Sequence, residues 1–149
     1  MLYTQQNEQN DQSITSYPSD EGFISMLEHY RSSGGIANGT ELAQRKNQCK
    51  DSNLAALAKV IVSGEVFSFE WHGNFWIPLF QFNSKDLTTR HCVAQVLREL
   101  STVFDGWALA VWFVQANAWI ENKKPIDLLD SDLSQVLHAA RADRYVALG

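Results

Sequence analysis

The chain has 149 residues, 45% of them hydrophobic, and a formal net charge of −5 at pH 7, which fits one globular domain. The acidic balance argues against a broad electrostatic grip on nucleic acid, and no apolar run approaches the roughly 18 to 20 residues of a membrane span or forms a signal peptide. Cys49 and Cys92 lie far apart outside any C-x-x-C pattern, so we expect a reduced, cytoplasmic protein and no disulfide scaffold.

The N-terminal third is predicted to consist of a tail and a helical segment. Residues 1–18 are rich in Gln, Asn, Ser and Thr and are expected to be a disordered polar tail. Residues 19–63 form the helical segment. Its first helix is capped by Ser19 or Asp20 and runs to about Tyr30.

Two further helices are predicted in this segment. Gly34–Gly35 breaks the first helix, and Thr40–Glu41 opens the second. Asp51 or Ser52 is placed to cap the third. Helical spacing in the third helix is kept by Leu54, Leu57, Ala58 and Ile61.

The hydrophobic period then changes from helix to strand. Residues 65–78 read EVFSFEWHGNFWIP. In this segment Val66, Ser68 and Glu70 alternate with Phe67, Phe69 and Trp71, as the two faces of a half-buried strand do. His72–Gly73–Asn74 is a typical hairpin turn. The following LFQF, residues 79–82, is expected to be a short extended exit.

Helical spacing returns after the hairpin in two predicted helices. The first spans about residues 87 to 104 and has an apolar face. Asp105 is placed to cap the second. The run from Trp107 to Val114 leaves no polar face, and a helix that is apolar all round must be buried or bind a partner. Asn122 is expected to end it, because Asn tolerates the left-handed conformation.

Pro125 restarts the chain with a fixed φ angle, and the last helix is predicted to begin at Ser131 or Asp132. Arg141 and Arg144 are expected at the negative end of that helix. Its inward face comprises Leu133, Val136, Leu137 and Ala140. Taken together, the elements predict a mainly α domain with a small antiparallel β-hairpin at about residues 65–78.

The 18 residues WFVQANAWIENKKPIDLL, from Trp112 to Leu129, resemble the signature of the toxin-binding domain of the Xre/MbcA/ParS antitoxin family. That signature runs roughly W-L-x-x-P-N-x-x-L-x-G-x-x-P-x-D-L-L. Phe113 and Ile120 are conservative replacements. Ala116 stands where the family has Pro, which should let the helix run on, and Asn122 replaces the Gly. The outright matches are Trp112, Asn117, Pro125, Asp127, Leu128 and Leu129.

The resemblance covers about residues 54 to 149 and implies that residues 64–149 form a toxin-binding domain. Members of the family pair with a toxin of the RES class, which consumes NAD, and neutralise it by occluding its active site. They often dimerise, and many carry an N-terminal Xre-type helix-turn-helix that represses their own operon. The first 50 residues do not clearly resemble such a unit. The implied function is therefore that of an antitoxin with a RES-type toxin as partner and with DNA binding in doubt.

Several signature residues have two interpretations. Trp112 and Trp119 are either partner anchors or core residues, and we expect core packing for Trp112, inside the apolar run, and leave Trp119 open. Asn117 is expected to stabilise a turn or a helix end. Asp127 is expected either to cap the Leu128–Leu129 turn or to accept a hydrogen bond from a nearby backbone amide. A catalytic role is not expected, because no second acid or base stands at a suitable spacing.

Arg141, Arg144 and Tyr145 form the last candidate group. One interpretation is a helix C-terminus complemented by cations. In the other, which follows from the resemblance, this end approaches the toxin's pocket, and a guanidinium replaces an anionic substrate there or pairs with the groups that hold it. Deleting residues 130–149 is then expected to abolish neutralisation and leave the fold largely intact. The predicted partner-binding residues are Trp112, Asn117, Trp119, Pro125, Asp127, Leu128, Leu129, Arg141, Arg144 and Tyr145.

We expect no catalytic residue, no metal and no cofactor. The acidic set Asp127, Asp130 and Asp132 lacks the central Gly and the final Glu of an EF-hand loop. His91 and Cys92 are adjacent, so a regular helix points them about 100° apart. Neither has a second ligand or a base at a suitable spacing.

A second hypothesis is a DNA-binding autoregulator of its own operon, with residues 19–63 as a degenerate helix-turn-helix. Arg45, Lys46 and Lys50 form a mildly basic patch, which is more typical of a solvated helix face than of a DNA-reading helix. A steeply salt-dependent electrophoretic shift on the promoter would support this hypothesis, and no shift at low salt would remove it.

Overall fold

The structure is a computed structural model that describes residues 17–48 and 54–149. These residues form a mainly α fold with one small antiparallel sheet, as the sequence predicts. The helices and strands are, in chain order, α1 (Asp20–Tyr30), β1 (Ile36–Asn38), α2 (Gly39–Gln48), α3 (Leu54–Val62), β2 (Phe69–Trp71), β3 (Asn74–Pro78), α4 (His91–Leu100), α5 (Gly106–Val114), α6 (Pro125–Leu128) and α7 (Leu133–Leu148).

Some sequence predictions fall outside the described residues. These are the predicted tail as far as residue 16, the cap of α3 at Asp51 or Ser52, and the residues Cys49 and Lys50. The side chains of Arg45 and Lys46 are also outside the description, so the basic patch has no structural account.

The predicted start and end of α1 are confirmed. The Ser19 hydroxyl accepts a hydrogen bond from the backbone N–H of Gly22 at 2.9 Å and caps the helix. After Tyr30, Gly34 and Gly35 take positive φ angles of 110° and 84°, which most L side chains avoid. The chain can therefore turn directly into β1.

The predicted hairpin is present, but it belongs to a three-stranded sheet in the order β1-β3-β2. His72 and Gly73 close the β2–β3 turn with φ angles of 52° and 78°, the geometry of a primed turn. β1 pairs with β3 and places Ile36 opposite Pro78. A strand of three residues is too short to be predicted from its sequence pattern. The segment after β3 was expected to be extended, and instead Leu79–Gln81 forms a 3₁₀ turn.

α4 is shorter than the predicted span of residues 87 to 104. Its first turn begins at His91, because Leu87 has a φ of 59° and Thr89 pairs with Phe82 in an isolated β-bridge. Of the six residues predicted for the apolar face, four are buried in α4, namely Val93, Val96, Leu97 and Leu100. The other two, Val103 and Phe104, lie beyond the end of the helix and are partly buried.

The apolar helix α5 is buried at the centre of the main core, which confirms one of the two alternatives for an all-apolar helix. α1, β2 and α6 pack against it. From α1, the buried Tyr30 hydroxyl donates to the Ala110 carbonyl at 2.6 Å. Phe113 stacks on Phe67, with ring centroids 5.7 Å apart and planes 4° from parallel. Asp105 caps α5 as predicted and accepts the N–H of Ala108.

α5 does not run on past Ala116, so that prediction is wrong. The helix ends at Val114, and Gln115 is extended with φ −97° and ψ 144°. The Asn117 side chain caps a separate 3₁₀ turn, Ala118–Ile120, and this local hydrogen bond competes with helix continuation. Asn122 does take the left-handed conformation, with φ 62°, but it does not end α5: it follows Glu121, the left-handed residue that ends the 3₁₀ turn.

Two predictions about the final helices are also wrong. Asp127 does not cap a turn: it is exposed in the first turn of α6, whose N-cap position is Lys124. Arg141 and Arg144 do not lie in the last turn of α7, because the helix continues to Leu148. The predicted cap of α7 is confirmed, since Asp132 accepts the N–H of Gln135.

The deletion of residues 130–149 cannot leave the fold intact. Val136, Ala139 and Ala140 of α7 are fully buried in the same cluster as α5. Removing them would expose a large part of the core to water, and single core truncations already cost several kcal/mol, roughly 2 to 5 each. A deletion that spares the core must begin after Arg144.

Within the described part of the chain, every helix is too short or too polar to cross a membrane.

A tight backbone contact seats the start of α5 against the sheet. A Cβ added at Gly106 would lie 1.9 Å from the Ser68 carbonyl oxygen and 3.2 Å from the Phe69 Cα. Both are backbone atoms, so no side chain can move aside. We expect Gly106→Ala to lower the free energy of unfolding by at least about 2 kcal/mol, measured by urea denaturation.

Gly39→Ala is the matched control for that experiment. A Cβ at Gly39 meets nothing within 4 Å, and the residue lies at the start of a helix, where Ala is favourable. We expect a change of less than about 0.5 kcal/mol. Equal effects of the two substitutions would contradict the close packing of α5 on the sheet.

Burial makes the contact between Tyr30 and Ala110 sensitive to alkaline pH. Desolvation raises the pKa of Tyr30 well above its ordinary value of 10.0. The folded protein keeps this hydroxyl neutral while the unfolded chain ionises it, so its stabilising contribution is full below about pH 10 and is lost as pH rises further. Tyr30→Phe should cost about 1 kcal/mol at pH 8 and should flatten the decline in stability above pH 10, measured by urea denaturation. An unchanged alkaline decline would contradict this assignment.

Candidate functional site

Two signature side chains, those of Trp112 and Asn117, meet the neighbouring Trp119 on one carboxylate. Asp143 Oδ2 accepts hydrogen bonds from Trp112 Nε1 at 2.8 Å and from Asn117 Nδ2 at 2.9 Å. Asp143 Oδ1 accepts a third from Trp119 Nε1 at 2.9 Å. The motif at residues 112–119 is thus tied to α7 at one point, which we call the Asp143 node: Trp112, Asn117, Trp119 and Asp143.

Helix ends and a turn place the four side chains of the node. Trp112 comes from the last turn of α5, where its ring is buried and its N–H points outward to α7. Asn117 begins the 3₁₀ turn that carries Trp119. That turn packs against α7. Because α5 stops at Val114, the chain can bend back and bring all three donors to Asp143.

Asn117 stabilises the turn as predicted, and both the oxygen and the nitrogen of its side-chain amide form hydrogen bonds. Its Oδ1 accepts the backbone N–H of Trp119 at 2.9 Å, and its Nδ2 donates to Asp143. Its backbone pairs with Lys123, closing the loop on itself. At 7% exposure the amide needs both partners, since an unpaired buried polar group is costly.

Trp119 is both part of the node and part of the surface. Its side chain is 49% exposed, whereas Trp112 is buried, so the core interpretation holds for Trp112 alone. Trp119 lines two clefts. One, of about 220 Å³, is bordered by Asp143, and the other, of about 410 Å³, is bordered by Leu128 and Asp132.

The other half of the signature divides between core and surface. Pro125 and Leu129 are buried, and Leu128 is partly buried against the same cluster. Asp127 is exposed. The buried members hold the corner between α6 and α7 from inside, and Asp127 and part of Leu128 face the surface.

Arg141 and Arg144 are held by Glu99 and do not complement the helix end. Arg141 Nε lies 3.2 Å from one oxygen of Glu99, and Arg144 Nη1 lies 2.9 Å from the other. Glu99 comes from α4, so the two pairs fasten α7 to α4. Both guanidiniums keep one side in solvent.

The end of α7 is an exposed apolar tip. Tyr145, Val146 and Leu148 are 79%, 64% and 70% exposed. All five residues from 145 to 149 are exposed, so the helix extends beyond the core by a full turn. Of the predicted arginine–tyrosine group, Tyr145 alone belongs to this tip.

Sequence reasoning missed Asp143 and Glu99. Both are ordinary acidic residues on helices, 31 residues from Trp112 and 42 from Arg141, and no local pattern marks them. A partial signal was available: buried indole N–H groups and a buried amide require acceptors. The sequence does not say which of the acidic residues supplies them.

The described residues contain no group of three or more His, Cys, Asp or Glu side chains placed to hold a metal ion. His91 and Cys92 start α4 on different sides: His91 is exposed and contacts Gln95, while Cys92 is a partly buried free thiol.

No protein-family model, curated protein or solved structure matches this chain. The relationship to the Xre/MbcA/ParS antitoxins therefore stays a prediction that depends on the motif.

Removing the Asp143 carboxylate should weaken the fold locally. Asp143→Ala leaves the Trp112 N–H and the Asn117 amide without their acceptor, and we expect a loss of about 1 to 3 kcal/mol in the free energy of unfolding. The indole N–H signals of Trp112 and Trp119 in ¹H–¹⁵N spectra should shift and exchange faster.

Asp127→Ala provides the matched control, because it removes an exposed carboxylate from the same region of the chain. Its cost should stay within about 0.5 kcal/mol, with the two indole signals in place. If both variants lost the same free energy of unfolding and showed the same indole signals, the Asp143 node would not stabilise the fold as described.

Proposed function

We propose that this protein is an antitoxin-like binding protein that holds a toxin partner and occludes the partner's active site. The observation that carries the proposal is the Asp143 node, in which the Trp, the Asn and a second Trp of the 18-residue motif act as one unit. Following the resemblance, we take the partner to be a toxin of the RES class, which consumes NAD.

The contact surface of this proposal consists of exposed residues on a rigid support. The node fixes the Trp119 ring, and the Glu99 pairs fix α7, so a partner meets a surface that loses little freedom on binding. A half-exposed Trp beside clefts is the kind of residue that dominates binding energy at interfaces.

The apolar tip of α7 is the element that enters the partner's pocket in this proposal. Tyr145 and Leu148 project beyond the core with nothing of the described chain covering them. Enzyme pockets are mostly apolar clefts, which suits such a tip. Occlusion is then steric, and the chain itself performs no chemical step. Arg141 and Arg144, already paired with Glu99, serve at the rim, where their outer sides can contact an acidic group.

We place this protein in the cytoplasm, where its free thiol at Cys92 would stay reduced.

Co-expression tests the proposal. The neighbouring reading frame is expressed alone, and then with this chain, in a strain whose growth and NAD content are followed. We expect the neighbour to stop growth and lower NAD, and this chain to restore both. Should the neighbour be harmless, or kill equally in the presence of this chain, the proposal fails.

Truncation then tests the tip. Deleting residues 145–149 removes exposed residues alone, so the thermal unfolding temperature should stay within a few degrees. Growth rescue should be lost.

Trp119→Ala should weaken the complex at least about tenfold, since it removes an interface anchor. Binding is measured by isothermal titration calorimetry.

Phe75→Ala is the matched control for the aromatic substitution. Phe75 is 54% exposed, close to the 49% of Trp119, but it lies on the β3 strand of the sheet. Rescue and affinity should be unchanged. Full rescue by the truncated chain would remove the tip from the mechanism, and a loss of rescue in Phe75→Ala would move the contact surface to the sheet.

A further inference from the structure

Asp143 keeps an acceptor position beside the exposed indole of Trp119. Its Oδ2 receives two N–H groups, from Trp112 and Asn117, whereas its Oδ1 receives one, from Trp119. A carboxylate offers about four acceptor positions, shared between two oxygens. The open position is therefore on Oδ1, the oxygen next to the half-exposed ring.

The charge of Asp143 has no counter-ion in the part of the chain that the structure describes. No Lys, Arg or His nitrogen of those residues lies within 4.0 Å of its oxygens. Arg141 and Arg144, its neighbours on α7, are both turned to Glu99. The three groups that bind Asp143 are neutral donors, so its charge is solvated by dipoles and not neutralised.

The adjacent cleft has the size and lining for one side chain. Its volume of about 220 Å³ is below the ~300 to 1,000 Å³ of typical small-molecule pockets. Asp143 is the ionisable residue of its lining, and the walls include the rings of Trp112 and Trp119. An aromatic wall beside a carboxylate favours a cation, because the ring face and the carboxylate attract the same charge.

We propose that this cleft receives an arginine side chain of the protein partner, with the guanidinium stacked on the Trp119 ring and donating to Asp143 Oδ1. This assignment deepens the function proposed above and rests on it for the identity of the partner. Arginine fits better than lysine, since a planar guanidinium stacks on an indole and donates along its edge at the same time. The net charge of −5 would also speed the approach of a basic surface.

Titration of the isolated full-length chain tests the site without a toxin. The probes are three peptides, Ac-Gly-Arg-Gly-NH₂, its lysine analogue and its neutral citrulline analogue, followed by ¹H–¹⁵N spectra of the indole N–H groups. The arginine peptide should shift the Trp119 signal and bind at least about tenfold more tightly than the citrulline peptide, because citrulline keeps the shape without the charge. Equal binding of arginine and citrulline, or no shift at Trp119, overturns the proposal. Equal binding of lysine overturns the choice of a guanidinium.

Two substitutions sharpen the result. Asp143→Asn keeps the shape and should abolish the preference for arginine over citrulline. Because Asp143 also supports the fold, a second variant adds charge at an exposed wall: Gln115→Glu should tighten arginine binding about threefold or more. Gln44→Glu places the same charge on an exposed position of α2 and should change nothing. If Gln115→Glu had no effect while the folded Asp143→Asn still preferred arginine, the cleft would not be the site.

The two proposals fail separately. Arginine binding by the isolated chain, combined with no effect on any co-encoded neighbour, leaves the cation site standing and removes the antitoxin function. A neighbour that is neutralised equally well by wild type and by folded Asp143→Asn supports the function and removes the arginine contact from it.

Discussion

The fold depends on the need to cover α5 from every side. A helix that reads Trp107 to Val114 without a polar residue has no face to give to water, so its neighbours must surround it. The α1 helix supplies the Tyr30 hydroxyl to the Ala110 carbonyl, and the backbone at Ser68 approaches Gly106 too closely for any side chain. These contacts are made by segments distant in sequence, so α5 organises the main core around itself, whereas a second cluster that includes Leu42, Leu57 and Ile77 forms without it.

The Asp143 node extends this arrangement to the surface. The same tryptophan that fills the core with its ring sends its N–H to α7, and the turn after α5 adds Asn117 and Trp119. Three donors on one carboxylate fix the geometry of an exposed ring, and a fixed ring pays less entropy on binding than a mobile one. The node thus joins a buried ring, Trp112, to a half-exposed one, Trp119, through one carboxylate.

The charged side chains of α7 have two different kinds of partner. Glu99 of α4 binds two arginines of α7 and joins the two helices. Asp143, also on α7, faces neutral donors instead. Partly exposed ion pairs contribute modestly to stability, so the Glu99 pairs add to the hold of the buried residues Val136, Ala139 and Ala140 on α7. The tip of α7 then projects from a supported helix, which suits a role in binding.

Much of this protein could be predicted from local sequence. The caps at Ser19, Asp105 and Asp132 and the turn at His72–Gly73 follow from interactions within a few residues. The all-apolar sequence of α5 predicted that it is buried or binds a partner, and the distant segments that cover it decided between the two. Those patterns also predicted the mainly α class, because period and capping are local properties. Trp112, Asn117 and Trp119 of the 18-residue stretch contribute to the candidate site, and no comparison supports its family.

Tertiary structure decided whatever requires two distant segments. β1 has too few residues to show a pattern and exists through its pairing with β3. The stop of α5 at Val114 reflects the hydrogen bonds of Asn117, one of which goes to Asp143, 26 residues away. The roles of Glu99 and Asp143 likewise depend on which helices meet, since a carboxylate on a helix surface looks the same in sequence whether it faces water or three donors. Local sequence determined the elements, and long-range contact determined which of their side chains form a site.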